Sequence, residues 1–123
     1  TGNLTLTTGN VTIANGASLQ VTGNVTVTTG TTFDIEPGGT LILGNGSSLT
    51  VNSGGALEMV GTAVQSASVK AINDVSSQTI TISNGATIRA RYYSLRNLGA
   101  TGLTVNATST IDGTNFLQNG TFT

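Results

Sequence analysis

Apolar residues recur in skip-one pairs along the first part of the chain: Val11 and Ile13, Leu19 and Val21, Val25 and Val27, Phe33 and Ile35. Gly, Asn, Thr and Ala fill the gaps between pairs. Strict alternation over short runs predicts half-buried β-strands. Asn-Gly, Gly-Gly and Gly-Asn steps stand between the runs, as at Asn15, Asn45, Asn84, Asn119, Gly38, Gly54 and Gly23. These residues tolerate positive φ, so tight corners cost little there. No stretch carries the i, i+3, i+4 pattern with caps, so little or no helix is expected.

The spacing of the runs sets the architecture. First apolar positions fall at 4, 11, 19, 25, 33, 41, 49 and 57. After an irregular stretch from about Gly61 to Gln78 the pattern resumes at Ile80, Ile88, Leu95, Leu103 and Ile111. Taking every third strand aligns three columns. One holds Val11, Phe33, Leu57, Ile80 and Leu103; a second holds Leu19, Leu41, Val64, Ile88 and Ile111. The third holds Leu4, Val25, Leu49, Ile72, Leu95 and then Leu117 or a neighbour. The expected fold is all-β: a single parallel β-solenoid domain over residues 1–123, with about five three-strand coils of about 23 residues. Strands stacked at ~4.8 Å would make a rod of about 25 Å. A two-strand coil of about 16 residues and a β-sandwich are the rival architectures, but a sandwich gives no reason for the longer repeat.

Composition narrows the chemistry. Charged residues are 7% of the chain, against roughly 25% in an average domain. Thr, Ser, Asn and Gly must therefore cover the surface, which leans toward an extracellular or cell-surface location. His, Cys and Trp are absent. That excludes Ser-His and Cys-His nucleophiles, nitrogen or thiolate metal sites, and disulfides. Lys70 has no P-loop context. Four cations, Lys70, Arg89, Arg91 and Arg96, cannot build an electrostatic footprint for nucleic acid. No apolar run approaches the length of a membrane span. No cofactor is expected.

Carboxylates are the remaining chemical candidates. Asp34 and Glu36 point outward from one strand, and Glu58 stands 24 positions after Asp34, on the adjacent coil. Such a trio could bind a cation such as Ca²⁺ through oxygen. The Asp34–Glu58 pair could approach the ~5–5.5 Å carboxyl separation of a retaining glycosidase. The same residues also read as a solvated polar face, and no basic residue shares their column in this alignment. Arg89 and Asp112, 23 positions apart, read as a surface ion pair. Arg89, Arg91 and Arg96 with Tyr92 and Tyr93 form the cationic-aromatic cluster: a contact for an anionic glycan, or a corner whose tyrosines cap the interior. Six Asn-x-Ser/Thr sequons begin at Asn3, Asn10, Asn24, Asn45, Asn106 and Asn119, acceptors for glycosylation in a suitable host.

Stacked threonines give a further candidate surface: Thr5 and Thr7, Thr26 and Thr28, and Thr50, with Asn73 and Arg96 continuing the array beyond about three coils. Stacked Thr-x-Thr faces resemble those of β-solenoid ice-binding proteins. Thr is also a favoured outward strand residue in its own right.

The stretch "GGTLILGNGSSLTVNSGGALEMVGTA", residues 38–63, resembles the repeat of right-handed parallel β-helix regions in large secreted bacterial surface proteins and adhesins. Residues 85–122, "GATIRARYYSLRNLGATGLTVNATSTIDGTNFLQNGTF", resemble a related style in which a Tyr-containing strand precedes an "F..NG.F" coil. The resemblance implies a secreted structural role. Carbohydrate lyases and hydrolases share the fold, but none of their catalytic motifs is present, and no enzymatic activity is expected. The first residues already look like an interior coil, and "FLQNGTFT" keeps apolar residues in strand-like sequence. Leu4 and Leu6 at one end, with Phe116, Leu117 and Phe122 at the other, are the expected self-association residues. Open strand edges there would pair with copies of the chain or with further coils. The expected function is a building block of a surface filament or adhesin stalk. The alternative is a solenoid that binds ice or a glycan.

Overall fold

The computed structural model describes residues 2–73 and 77–123, except for the side chains of residues 115 and 116. The first coil is β1 (Leu4–Leu6), β2 (Asn10–Ile13) and β3 (Ser18–Val21). The second is β4 (Val25–Val27), β5 (Thr32–Ile35) and β6 (Thr40–Leu43). The third is β7 (Ser48–Val51), β8 (Ala56–Val60) and β9 (Ala67–Ala71). The fourth is β10 (Gln78–Ile82), β11 (Thr87–Arg91) and β12 (Tyr93–Arg96), and the fifth is β13 (Leu98–Val105), β14 (Thr110–Gln118) and β15 (Thr121–Phe122). Each strand pairs in parallel with its equivalents in neighbouring coils. Three five-stranded sheets result: β1-β4-β7-β10-β13 on the first face, β2-β5-β8-β11-β14 on the second and β3-β6-β9-β12-β15 on the third. The described residues contain no helix. The expected parallel β-solenoid of five three-strand coils is therefore the fold.

The corners between the first and second faces show how the sequence makes the turn. Thr31, Gly55, Ala86 and Ser109 each donate a backbone N–H to the carbonyl three residues earlier, at 3.1, 2.9, 3.0 and 3.0 Å. These four turns stack, with Gly30 N–H on Gly54 O and Gly54 N–H on Gly85 O, both at 2.9 Å. Gly54 and Gly85 hold φ of 80° and 78°, the third position of a type II turn, where a side chain would clash. Asn residues complete other corners with their side chains. Asn3 Oδ1 accepts the Asn24 N–H at 2.8 Å, and Asn24 Oδ1 accepts the Ser48 N–H at 3.0 Å. Turn chemistry and backbone pairing thus come from the same residues.

Inward residues stack as aliphatic ladders. On the first face Leu4, Val25, Leu49, Ile80 and Leu103 lie in register. On the second, Val11, Phe33, Leu57, Ile88 and Ile111 do so. On the third, the ladder is Leu19, Leu41, Val69, Leu95 and Phe122. The three middle rungs are sealed: Phe33, Leu49, Leu57, Ile80 and Ile88 are wholly buried. Each such side chain contributes about 1.5–3 kcal/mol by leaving water. The buried polar Gln78 donates Nε2 to Gly44 O at 3.1 Å, which satisfies it inside a corner.

Beyond residue 60 the registry differs from the expected columns. Leu57 stacks on Ile88, not Ile80, and Leu49 stacks on Ile80, not Ile72. Val64 and Ile72 are 90% and 42% exposed rather than core. The cause is the third coil, in which Leu49 and Ile80 lie 31 positions apart, against 24 between Val25 and Leu49. The surplus falls in the sequence between β8 and β9 and between β9 and β10. It comes to about one strand-plus-turn step, so every later strand keeps its inward phase but moves to the next face. Leu95 accordingly lies on the third face and Leu103 on the first.

Candidate functional site

The faces divide the outward side chains by chemistry. On the first face Thr5, Thr26, Thr50, Thr81 and Thr104 form one unbroken row through all five coils. The expected continuation by Asn73 and Arg96 is overturned: the register slip brings Thr81 and Thr104 into that row instead. No hydrogen bond engages these five hydroxyls among the described residues. The neighbouring row is less uniform. It runs from Thr7 through Thr28 to Asn52, Ser83 and Asn106, and the Thr28 hydroxyl donates back to Leu6 O. The strands of this face carry no charged residue.

The second face collects most of the charge. Thr12, Asp34, Glu58 and Arg89 follow one another in register. Arg89 Nη1 donates to Glu58 Oε2 at 3.2 Å, and Arg89 Nε to Asp112 Oδ2 at 3.3 Å. The expected Arg89–Asp112 pair is present, and Glu58 joins it. The reading that no basic residue shares the Asp34–Glu58 column is therefore corrected: the slip moves Arg89 onto that face. Asp34 keeps the unrelieved charge. Partial burial first, then Glu58 and Glu36, raise its carboxyl above the usual range.

Glu36 is not drawn into a shared cage. Its Oε2 accepts the Asn15 N–H at 3.2 Å across the corner. Among the described residues no three carboxylates come together closely enough to hold a metal ion, and the described residues form no enclosed pocket. The third face shows Gln20, Ile42, Lys70 and Arg96 in register, the cations confined to its later coils.

The cationic-aromatic cluster of the sequence splits in two. Tyr93 turns inward and is 3% exposed. Its ring meets Phe122 edge-on at 6.0 Å, and burial raises its phenol above the ordinary tyrosine range. A Cβ on Gly120 would lie 2.1 Å from Cζ of this ring, so the glycine of the "F..NG.F" segment makes room for Tyr93. Tyr92 stays outside, with the Arg91 guanidinium 5.1 Å from its ring centroid.

The end coils present the expected association residues. The strands β1, β2 and β3, and β13, β14 and β15, each pair on one side only among the described residues. Leu6 is 4% exposed, Leu4 and Leu117 are partly buried against the core, and Phe122 is 57% exposed. The side chain of Phe116 lies outside the described residues.

Neither family models, curated proteins nor solved structures match this chain.

Proposed function

We propose that this chain is a structural β-solenoid block of an extracellular filament or adhesin stalk, extended end to end through its open strand edges. The observation that carries this is the phase match between the two end coils. A further coil resembling the first, laid on the fifth, sets Leu4 over Leu103, Val11 over Ile111 and Leu19 over Phe122. It also sets Thr5 over Thr104. All the inward ladders continue, and backbone pairing extends on three faces at once. The reading holds whether the added coil comes from the same chain or from a second copy. Low charge limits repulsion along the stack, and an extracellular setting suits a surface of Thr, Asn and Gly.

Sedimentation velocity tests it. The wild-type chain is expected to form concentration-dependent species larger than the monomer. Leu4→Lys and Phe122→Lys, which place a charge on the inward ladder of an end coil, are expected to abolish them while the circular dichroism of the strands persists. A wild type that stays monomeric across the whole range contradicts self-association.

A second reading is favoured by the threonine row. Five unengaged hydroxyls at one rung spacing, ~4.8 Å, on a rigid face without charge, suit an ordered lattice of water. Ice binding through Thr5, Thr26, Thr50, Thr81 and Thr104 is tested by the shape of ice crystals grown with the protein. Faceted growth that Thr50→Lys abolishes supports it, and unaltered discs refute it.

A further inference from the structure

The corner between the second and third faces changes size from coil to coil. Equivalent inward residues are 8 positions apart in the second coil (Phe33 to Leu41) and 12 in the third (Leu57 to Val69). They are 7 apart in the fourth (Ile88 to Leu95) and 11 in the fifth (Ile111 to Phe122), where the surplus is a bulge within β14 and the corner itself, from Gln118 to Thr121, is as short as that of the fourth coil. Because the inward residues stay in register, surplus residues must project outward. The short corner of the fourth coil is therefore set back beside the longer third-coil loop. The third-coil loop leans away from it, toward the second coil. Gly38 N–H donates to Ser66 O, and Asn15 Nδ2 to Gln65 Oε1, both at 3.1 Å.

Arg91 and Tyr92 form that recessed corner. Tyr92 holds a φ of 49°, uncommon for a bulky residue. Its backbone is fixed from both sides: its N–H donates to Gln118 O at 2.9 Å and its carbonyl accepts the Ala67 N–H at 3.1 Å. The coil thus directs the ring outward, where the Arg91 guanidinium lies 5.1 Å from its centroid. Arg91 has the uncharged neighbours Val60 and Gln118 on the adjacent rungs. Among the described residues no carboxylate pairs with it, since Glu58 and Asp112 both face Arg89. Its Nε is buried without a hydrogen-bond partner. A planar cation lacking a counter-charge, fixed beside an outward aromatic ring, matches a sugar that carries a carboxylate. The guanidinium fork suits the carboxylate, and the ring suits the C–H face of the sugar. Nucleic acid is disfavoured because the other cations lie elsewhere: Lys70 and Arg96 are on the third face, and Arg89 is neutralised. A folded protein partner would need an apolar centre, which this corner lacks.

We propose that the Arg91–Tyr92 corner binds an acidic saccharide of the uronate type. Binding does not depend on end-to-end assembly. The probe is trigalacturonate, titrated into the full chain and followed by amide chemical shifts and tyrosine fluorescence. Fluorescence is informative because the chain has no Trp and two Tyr, of which Tyr93 is buried. Saturable shifts centred on residues 91 and 92 are expected, with a dissociation constant on the order of millimolar for one charge-assisted fork and one stacked ring. Arg91→Gln and Tyr92→Asn should each weaken binding at least about tenfold. Asn tolerates the positive φ at 92, which keeps the fold. Lys70→Gln, on the third face, should bind as wild type. Absence of shifts at about 10 mM ligand, well above the expected constant, overturns the proposal. So does equal binding of the methyl-esterified trimer, equal binding of acetate, tighter binding of a poly-glutamate peptide, or equal loss in Lys70→Gln.

Discussion

The first two coils and the last two fold the same solenoid by different local chemistry. In the early coils, glycine supplies every positive φ among the described residues: Gly2, Gly9, Gly16, Gly30, Gly38 and Gly46. In the late coils Gly85 and Gly102 still adopt it, but Tyr92, Asn97, Leu117 and Asn119 do so as well, with φ between 49° and 59°. The early strands pair without a register shift, whereas the fourth and fifth coils meet through bulges on the first and second faces. A glycine turn is cheap and featureless. A side chain forced into the left-handed region is costly, by about 1–2 kcal/mol, but it is aimed by the backbone. The late coils therefore place Tyr92 outward and Tyr93 inward at one corner, something the repetitive half does nowhere. Irregularity in this molecule is where specific side chains are displayed.

The contrast can be broken most forcefully in the core. Phe33→Ala, in the sealed second coil, should cost about 3–5 kcal/mol. Leu103→Ala, on the half-covered ladder of the fifth, should cost less than half as much. Chemical denaturation of both variants checks this, and equal losses would mean that the end coil is as tightly packed as the interior. The next effect concerns Tyr93. Gly120→Ala drives a methyl group into its ring, and overpacking of this kind costs about 1–3 kcal/mol. The loss should be confined to exchange protection of β12 and β15, because each coil of a solenoid leans chiefly on its neighbours.

Turn residues sharpen the comparison at smaller scale. Gly54→Ala must hold a side chain at a φ of 80° with Thr29 Cγ2 2.8 Å away, for a loss of about 1–2 kcal/mol. Asn97→Gly, at an irregular corner, should change stability by only a few tenths, since Asn already tolerates that region. Thermal melts distinguish the two.

The smallest effect is electrostatic. The carboxyl of Asp34 is raised in the folded chain, so the native state holds its proton to higher pH than the unfolded state does. Its destabilising contribution is absent below the unfolded value near 3.8 and complete above the folded one. Stability should therefore fall as pH rises through that window. Asp34→Asn should remove this slope and raise stability at neutral pH by up to about 0.5 kcal/mol, the range of ordinary surface substitutions. Melting curves measured across the acid range check the sign.

Much of this was legible in the chain. The alternation of Val25, Thr26 and Val27 and the Asn-Gly corners specify strands and turns locally, so the solenoid and its coil count follow from period alone. The register beyond residue 60 does not. The surplus in the third coil matches about one strand step, which leaves the inward phase of Ile80, Ile88 and Leu95 unchanged while rotating them to another face. No local pattern reports such a slip. Two surface readings depended on it, namely the length of the threonine row and the presence of Arg89 beside Glu58. The burial of Tyr93 had a faint signal in Gly120, a small residue where the ring needs space. The outward placement of Tyr92 had none, because it depends on a backbone conformation that bulky residues avoid.

Electron microscopy of the concentrated chain tests the central proposal most directly. End-to-end growth through the open edges should give unbranched filaments with an axial repeat of about 24 Å, five rungs at ~4.8 Å each. Single dispersed particles at every concentration, or amorphous clusters without an axial repeat, would contradict it.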